Sequence, residues 1–236
     1  MLISLFVFVV IVTLSIPSAI IFIPLAVITG HIGPLNRVGC TIARIGLFAG
    51  GIRIKVEGRD RVPKNTACIF LSNHVSNLDP PVLLPLVPGR TAVFLKKSLM
   101  KIPVLGYCFK LGSFIPVGRA GSLEQAQQSI AIAAKVLASG LHITSFVEGT
   151  RSRDGRMLPF KKGSFYLAQQ SGAPIIPVSI SGTETLMAKG RFGIKPGKVH
   201  LVFHAPIDPH SYATRDELMK AVRAAIASGL PEWMRA

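Results

Sequence analysis

The sequence predicts an α/β domain, strands alternating with helices, carried on an N-terminal hydrophobic and amphipathic helical membrane anchor. Two observations predict it. Beyond Gly51, apolar or alternating runs of strand length take turns with longer stretches of helical periodicity, the pattern of a sheet covered by helices. Before that point the composition differs: residues 1–36 contain no Asp, Glu, Lys or Arg, and every basic residue lies at or after Arg37. The chain therefore divides into membrane-anchoring helices over 1–50 and a folded domain over 51–236.

Residues 2–30 are long and apolar enough to cross a bilayer, which takes about 20 residues of helix. Pro17 and Pro24 would kink such a helix, so one kinked span and a re-entrant pair dipping into one leaflet both fit. No basic run precedes the segment and no small-residue cleavage site ends it, which argues against a cleaved signal peptide. Arg37, Arg44, Arg53 and Lys55 follow it closely, and the positive-inside rule puts the domain on the cytoplasmic side of the inner membrane. After Gly33-Pro34, the apolar residues Leu35, Val38, Ile42, Ile45 and Ala49 recur at helical spacing with a basic flank. They form an amphipathic helix that suits a membrane interface or the domain surface, closed by Gly50-Gly51.

Residues 52–58 alternate as a half-buried strand, and Ala67–Leu71 is an apolar run of strand length. Pro81 to Val87 reads as a short helix, because Pro suits a first helical turn. Strands follow at 92–95 and within 112–119. Ser122-x-x-Gln125 has the form of a capping box, and the helix behind it carries Leu123, Ala126, Ile130, Ala133 and Leu137 on one stripe, ending at Gly140. Further strands are expected at 141–147, 173–180 and 199–204, with helices at 165–171 and 216–228. Pro174 and Pro177 place the 173–180 strand at a sheet edge or in an irregular stretch.

With 27 Lys and Arg against 11 Asp and Glu, the formal charge is +16. Nucleic acid is one class of partner for such a charge, but aromatic residues are only 7% of the chain and no nucleic-acid-binding module is present, so no nucleic-acid partner is expected. An anionic membrane surface or anionic substrates fit an apolar end joined to a cationic body. Cys40, Cys68 and Cys108 are widely spaced in apolar surroundings and form no metal-binding pattern, so they read as core thiols, with no metal site.

The chemistry concentrates at two strand ends. Ser72-Asn73-His74-Val75-Ser76-Asn77-Leu78-Asp79 follows the 67–71 strand and precedes a helix, so His74 and Asp79 sit on a connecting loop. A carboxylate across a turn from an imidazole can fix its tautomer and stabilise the imidazolium, leaving the other ring nitrogen to take a proton. The alternative is structural, with Asp79 capping the helix. The second stretch is Glu148-Gly149-Thr150-Arg151-Ser152 after the 141–147 strand. Glycine admits close approach to backbone N–H groups, the hydroxyls donate, and a guanidinium grips phosphate with two parallel bonds. Lys96, Lys97, Lys101, Lys110, Lys161 and Lys162 add positive charge nearby in sequence or at a rim.

Taken in order, these motifs resemble the lysophospholipid acyltransferases of the glycerolipid (PlsC-type) family over about residues 52–210. Asn73-His74-x4-Asp79 is similar to that family's catalytic block, Phe114–Arg119 to its second block, Phe146–Ser152 to its acceptor-phosphate loop and Ile176-Pro177-Val178 to its fourth. Gly118 departs from the pattern, since many members carry an acidic residue before the arginine.

The resemblance implies the glycerolipid acyltransferase fold, an α/β fold with a mixed sheet flanked by helices, with 51–236 as its catalytic domain. It also implies transfer of an acyl chain from acyl-CoA or acyl carrier protein to the sn-2 hydroxyl of lysophosphatidic acid, making phosphatidic acid. His74 would be the general base, oriented by Asp79. Arg119, Glu148, Gly149, Thr150 and Arg151, with Lys101 and Lys161, would bind the acceptor, Glu148 by positioning Arg151 or the acceptor rather than by touching phosphate, and backbone N–H groups near Ile176, Pro177 and Val178 would stabilise the oxyanion. Neither metal nor cofactor is implied beyond the acyl donor. Another lyso-lipid acceptor, such as lyso-ornithine lipid, and a non-catalytic phospholipid-binding protein are the competing readings.

Overall fold

In the computed structural model, which describes residues 2–118, 123–188, 190–191 and 193–235, the chain after the N-terminal helices builds a seven-stranded sheet. The strands are β1 (Ile52–Glu57), β2 (Ile69–Ser72), β3 (Thr91–Lys96), β4 (Ile115–Val117), β5 (His142–Phe146), β6 (Ile175–Ser181) and β7 (Gly197–Phe203). Their spatial order is β1-β7-β6-β2-β5-β3-β4. From β6 to β4 all neighbours are parallel; β7 runs antiparallel to β6, and β1 parallel to β7. The sheet is mixed, as the family resemblance implies.

Because the central strands run one way, the loops leaving β2, β3, β4, β5 and β6 gather at one edge. That edge is where a parallel α/β sheet presents ligand-binding loops. The short apolar runs of the central strands reflect burial on both faces. Ile69 and Leu71 of β2 point into a core shared with Ala133, Phe165, Leu218 and Val222, whereas Phe70 points into a second core with Leu47, Val82, Leu83 and Phe203. Helices α5 (Leu123–Ala138), α6 (Gly163–Ser171) and α8 (Arg215–Ser228) cover the first face; α2 (Gly33–Ala49) and α3 (Asp79–Leu83) cover the second.

Strand β6 is not an edge strand: it lies between β2 and β7. Of the two placements its prolines allow, an edge or an irregular stretch, the structure takes the second. Pro174 precedes the strand and offers its carbonyl to the Ile69 amide. Pro177 falls where β6 and β7 lose step. Val178 faces Phe203 and Ile175 faces Ile207, so the partner chain carries one residue more between these pairs. A bulge of that kind asks no N–H of Pro177, whose carbonyl still accepts from the His204 amide.

Helix α1 (Leu2–Thr29) is continuous through Pro17 and Pro24, with a mean hydropathy of 2.7 over its most apolar window. It folds back along α2 through Gly30, whose φ of 68° makes the turn. Ile11 meets Gly46, while Ser4 and Gly50 both contact Ile194, so the two helices are antiparallel. Most of α1 is exposed, including Phe6, Phe8, Ile16, Ile20 and Ile28. By contrast α2 is tied to the domain: Leu47 is in the core and Arg44 donates to the Pro85 carbonyl. The boundary at residue 50 thus separates segments in sequence, whereas in space α2 belongs to both.

The expected 81–87 helix is α3 followed by a 3-10 turn over Leu84–Leu86. Two helices were not anticipated, α4 (Leu105–Leu111) and α7 (Thr183–Leu186), both too short for periodicity to declare. The Ser122 cap lies outside the described residues. Helix α8 carries a full capping box, Thr214 with Glu217.

Candidate active site

The loop from β2 to α3 is shaped by Asp79. Its Oδ2 accepts from the amides of Val75 (2.7 Å) and Ser76 (2.8 Å), and lies 2.7 Å from His74 Nδ1. Its Oδ1 accepts from the Thr183 hydroxyl at 2.6 Å. Four donors thus converge on a carboxylate that is fully buried, while the His74 side chain is 18% exposed. Satisfying buried charge in this way is what keeps it from being prohibitively unfavourable.

With Nδ1 donating to Asp79, the lone pair of the imidazole falls on Nε2, which has no partner among the described residues. The ring stacks on Phe146 with centroids 4.3 Å apart, so its plane is fixed as well as its tautomer. Asn73 anchors the base of the loop to β6, donating to the Ile180 carbonyl and accepting from the Ile180 amide. On the far side, Ser76 Oγ donates to the Met187 carbonyl.

The loop after β5 lies directly against this one. The Ser152 amide donates to the His74 carbonyl at 2.8 Å, and the His74 amide donates to Glu148 Oε1 at 3.0 Å. Glu148 Oε2 accepts from the Leu158 amide. Glu148, which the sequence reading gives a positioning part at the acceptor site, has a side chain only 1% exposed, and its carboxylate joins the His74 loop to the 148–158 loop. Burial, helped by the nearby Asp79 charge, pushes its pKa up to about 7 against the pull of the two amides. It is a positioning group.

Gly149 and Thr150 are exposed at the sheet edge and Arg151 is half-buried beside Ser152. Gly149 has a φ of 68°, and its amide closes a turn onto the Phe146 carbonyl. The aliphatic stem of Lys161 passes over it, 3.2 Å from where a Cβ would lie. Gly149, Thr150, Arg151 and Lys161 are therefore brought together next to His74. Lys101 lies on the exposed segment after β3, and Arg119 lies outside the described residues.

The oxyanion assignment needs correction. Ile176 and Val178 are wholly buried and paired in register with Phe70 and Ser72, and Pro177 has no N–H. These three residues form the sheet beneath the site and offer it no donor.

Sequence reading missed Thr183, Phe146 and the two-ended role of Asn73. The signal for Thr183 was a hydroxyl just beyond a strand end, the same position class as His74. A broad open cleft of about 720 Å³ lies at the opposite sheet edge, between Arg59, Lys64, Thr66, Gly89 and His142. His142 has a structural task there, its Nδ1 accepting from the Cys68 amide, and no nucleophile–base pair lines the cleft. The chemistry sits at the other edge, where the buried acid orients the histidine.

A mixed sheet that presents a His–Asp pair and a basic, glycine-turned loop at one edge defines a class, and the comparisons give the same one. The family model described as Acyltransferase matches residues 53–181, and the chain belongs to that family. Among curated relatives, the 1-acyl-sn-glycerol-3-phosphate acyltransferase of Limnanthes douglasii is 34% identical over 199 residues, 83% of this chain and 70% of that protein. The human 1-acyl-sn-glycerol-3-phosphate acyltransferase alpha is 28% identical, covering 85% of this chain and 70% of that one. Among solved structures, the 1-acyl-sn-glycerophosphate (LPA) acyltransferase PlsC from Thermotoga maritima superposes with a TM-score of 0.84 at 28% identity, over 97% of this chain and 93% of its own.

Proposed function

We propose that this protein transfers an acyl group from an acyl thioester to the sn-2 hydroxyl of 1-acyl-sn-glycerol 3-phosphate, forming phosphatidic acid. The observation that carries the reading is the 2.7 Å contact between His74 Nδ1 and Asp79 Oδ2, which turns Nε2 outward beside the Gly149–Arg151 loop in a chain of the Acyltransferase family. The names of its relatives support lysophosphatidate as the acceptor.

An alcohol is a weak nucleophile until its proton is taken, and His74 Nε2 takes it as the oxygen attacks the thioester carbonyl. The imidazolium so formed faces Asp79, which balances its charge. As the tetrahedral intermediate collapses, the C–S bond breaks and Nε2–H returns the proton to the departing thiolate. Protons and charge balance with the acyl donor as co-substrate, so the reaction calls for no metal or prosthetic group. Arg151, the Gly149 and Thr150 backbone, and Lys161 hold the acceptor phosphate, with Arg119 and Lys101 as further contacts.

The donor is acyl-CoA or acyl carrier protein, both of which suit a strongly cationic domain. The exposed apolar face of α1 supports membrane association, and the Arg and Lys residues that follow it support a cytoplasmic orientation at the inner membrane. The antiparallel return of α2 favours a hairpin entering from one side.

Acyl transfer from labelled oleoyl-CoA to lysophosphatidate in detergent tests the reading. Wild type should form phosphatidate, and His74→Ala and Asp79→Ala should not. Undiminished product from His74→Ala would refute the mechanism. A wild type that acylates lyso-ornithine lipid but not lysophosphatidate would refute the acceptor.

A further inference from the structure

The segment between β3 and β4 exposes a set of large apolar side chains that no other part of the described structure covers. Val104 is 57% exposed, Tyr107 46%, Leu105 45%, Ile102 40% and Leu99 38%. Patches of this kind on an otherwise well-packed domain mark a contact surface. Val104, a β-branched residue, is held at φ 62° and ψ −59°, a strained conformation for its type, with the Leu105 amide closing a tight turn onto the Pro103 carbonyl.

The tip is nonetheless firmly built. The Gly106 amide bonds the Ile102 carbonyl, and Gly106 lies so close to Met100 that a Cβ there would fall 2.2 Å from the Met100 oxygen. Phe109 stacks on Phe114, fastening α4 to the start of β4. The segment thus holds its apolar tip outward.

Charge identifies what it meets. Lys96, Lys97, Lys101 and Lys110 flank or interrupt the apolar residues along the segment, all exposed, and the sequence has no acidic residue between Asp79 and Glu124. Exposed apolar side chains and a tyrosine on a segment whose charged residues are all lysines match an anionic lipid–water interface. Position agrees. β3 is parallel to β5, and β5 to β2, so the segment leaves the same sheet edge as the His74 loop. The α1–α2 hairpin joins the β1 side of the sheet and this segment the β3–β4 side, with β2 between them.

We propose that residues 97–111 form a second membrane contact, seated in the interface of an anionic bilayer. Together with the N-terminal hairpin it holds the His74 edge against the surface. One anchor leaves the domain free to swing; two on opposite sides of the site fix its tilt. The proposal goes beyond the acyl-transfer reading, and its primary test does not depend on catalysis.

The full chain carrying Trp233→Phe and Leu105→Trp is placed in vesicles of phosphatidylglycerol and phosphatidylcholine in which some lipids are brominated high in the acyl chain. A control carries Trp233→Phe and Lys64→Trp, at the opposite sheet edge. The tryptophan at 105 should emit at shorter wavelength than in detergent and lose most of its intensity to bromine, while that at 64 stays unquenched. Equal, weak quenching at both positions would overturn the proposal. So would a blue shift at 105 in neutral detergent that grows with protein concentration, which would assign the patch to a second copy of the chain. In the activity arm, Ile102→Ser with Leu105→Ser should lower transfer to vesicle-borne lysophosphatidate severalfold and leave transfer in detergent micelles unchanged. Unchanged vesicle activity would overturn the orienting role.

Discussion

Asp79 contributes two functions through two oxygens. Oδ2 gathers His74 and the two amides that shape its loop, and Oδ1 takes the Thr183 hydroxyl. Replacing it with asparagine puts an NH2 where a donor already points, so Asp79→Asn should reduce kcat by about 10³–10⁴-fold, as loss of the orienting acid does in a serine-protease triad. Steady-state kinetics with KM little changed is the check. Thr183→Val removes one donor to a buried carboxylate, worth about 1.5 kcal/mol or more, so kcat should fall about 10-fold, and Thr183→Ser should restore it. Glu148 makes a different prediction. Its folded pKa of about 7 lies above the ordinary carboxylate value, so the native state holds a proton that the unfolded chain releases. Stability from this group is full below about pH 4.5 and is lost as pH rises through 7, by up to about 3 kcal/mol. Thermal unfolding of Glu148→Gln should therefore lack the decline between pH 5 and 8 that wild type shows. The His74–Asp79 contact was legible in sequence because five residues and a turn suffice to join them. The Thr183 contact spans 104 residues, and no local pattern announces it.

At the level of elements, sequence spacing located the strands well because burial on both faces leaves a run of apolar residues that turn chemistry interrupts. At β6 it left an edge and an irregular stretch open, and the structure takes the second, because a bulge opens a position where no donor is needed. It also passed over α4 and α7, since one or two turns of helix contain too few residues to show a period. The turn into α7 is a sensitive point. Gly182 has a φ of 97°, and a Cβ there would lie 2.3 Å from the Lys198 carbonyl oxygen. Gly182→Ala should destabilise the fold by about 1–3 kcal/mol, visible as a lowered Tm. Because Thr183 follows it directly, kcat should fall in the same variant even under conditions where it stays folded.

Over the whole molecule, charge and apolarity are segregated by design of the chain: the first 36 residues hold no formal charge and the remainder carries the full +16. Attraction to an anionic surface or donor is then long-ranged and screened by salt, with a Debye length of about 10 Å at 0.1 M. Raising ionic strength should increase the apparent KM for lysophosphatidate in anionic vesicles while kcat at saturation changes little. A site whose phosphate contacts are fully enclosed would instead be insensitive to salt.

The sheet order also governs the timing of assembly. β1 is the first strand made, yet among the described residues its one neighbour in the sheet is β7, the last. At a synthesis rate of about 5–20 residues per second, β1 waits on the order of ten seconds or more for that partner. During that interval the apolar α1 has already left the ribosome and α2 lies immediately upstream of the unpaired strand. A nascent chain tethered to a membrane keeps its open strand close to its own later segments and away from those of other chains. On the membrane reading proposed above, α1 would serve the unfinished chain as well as the finished one.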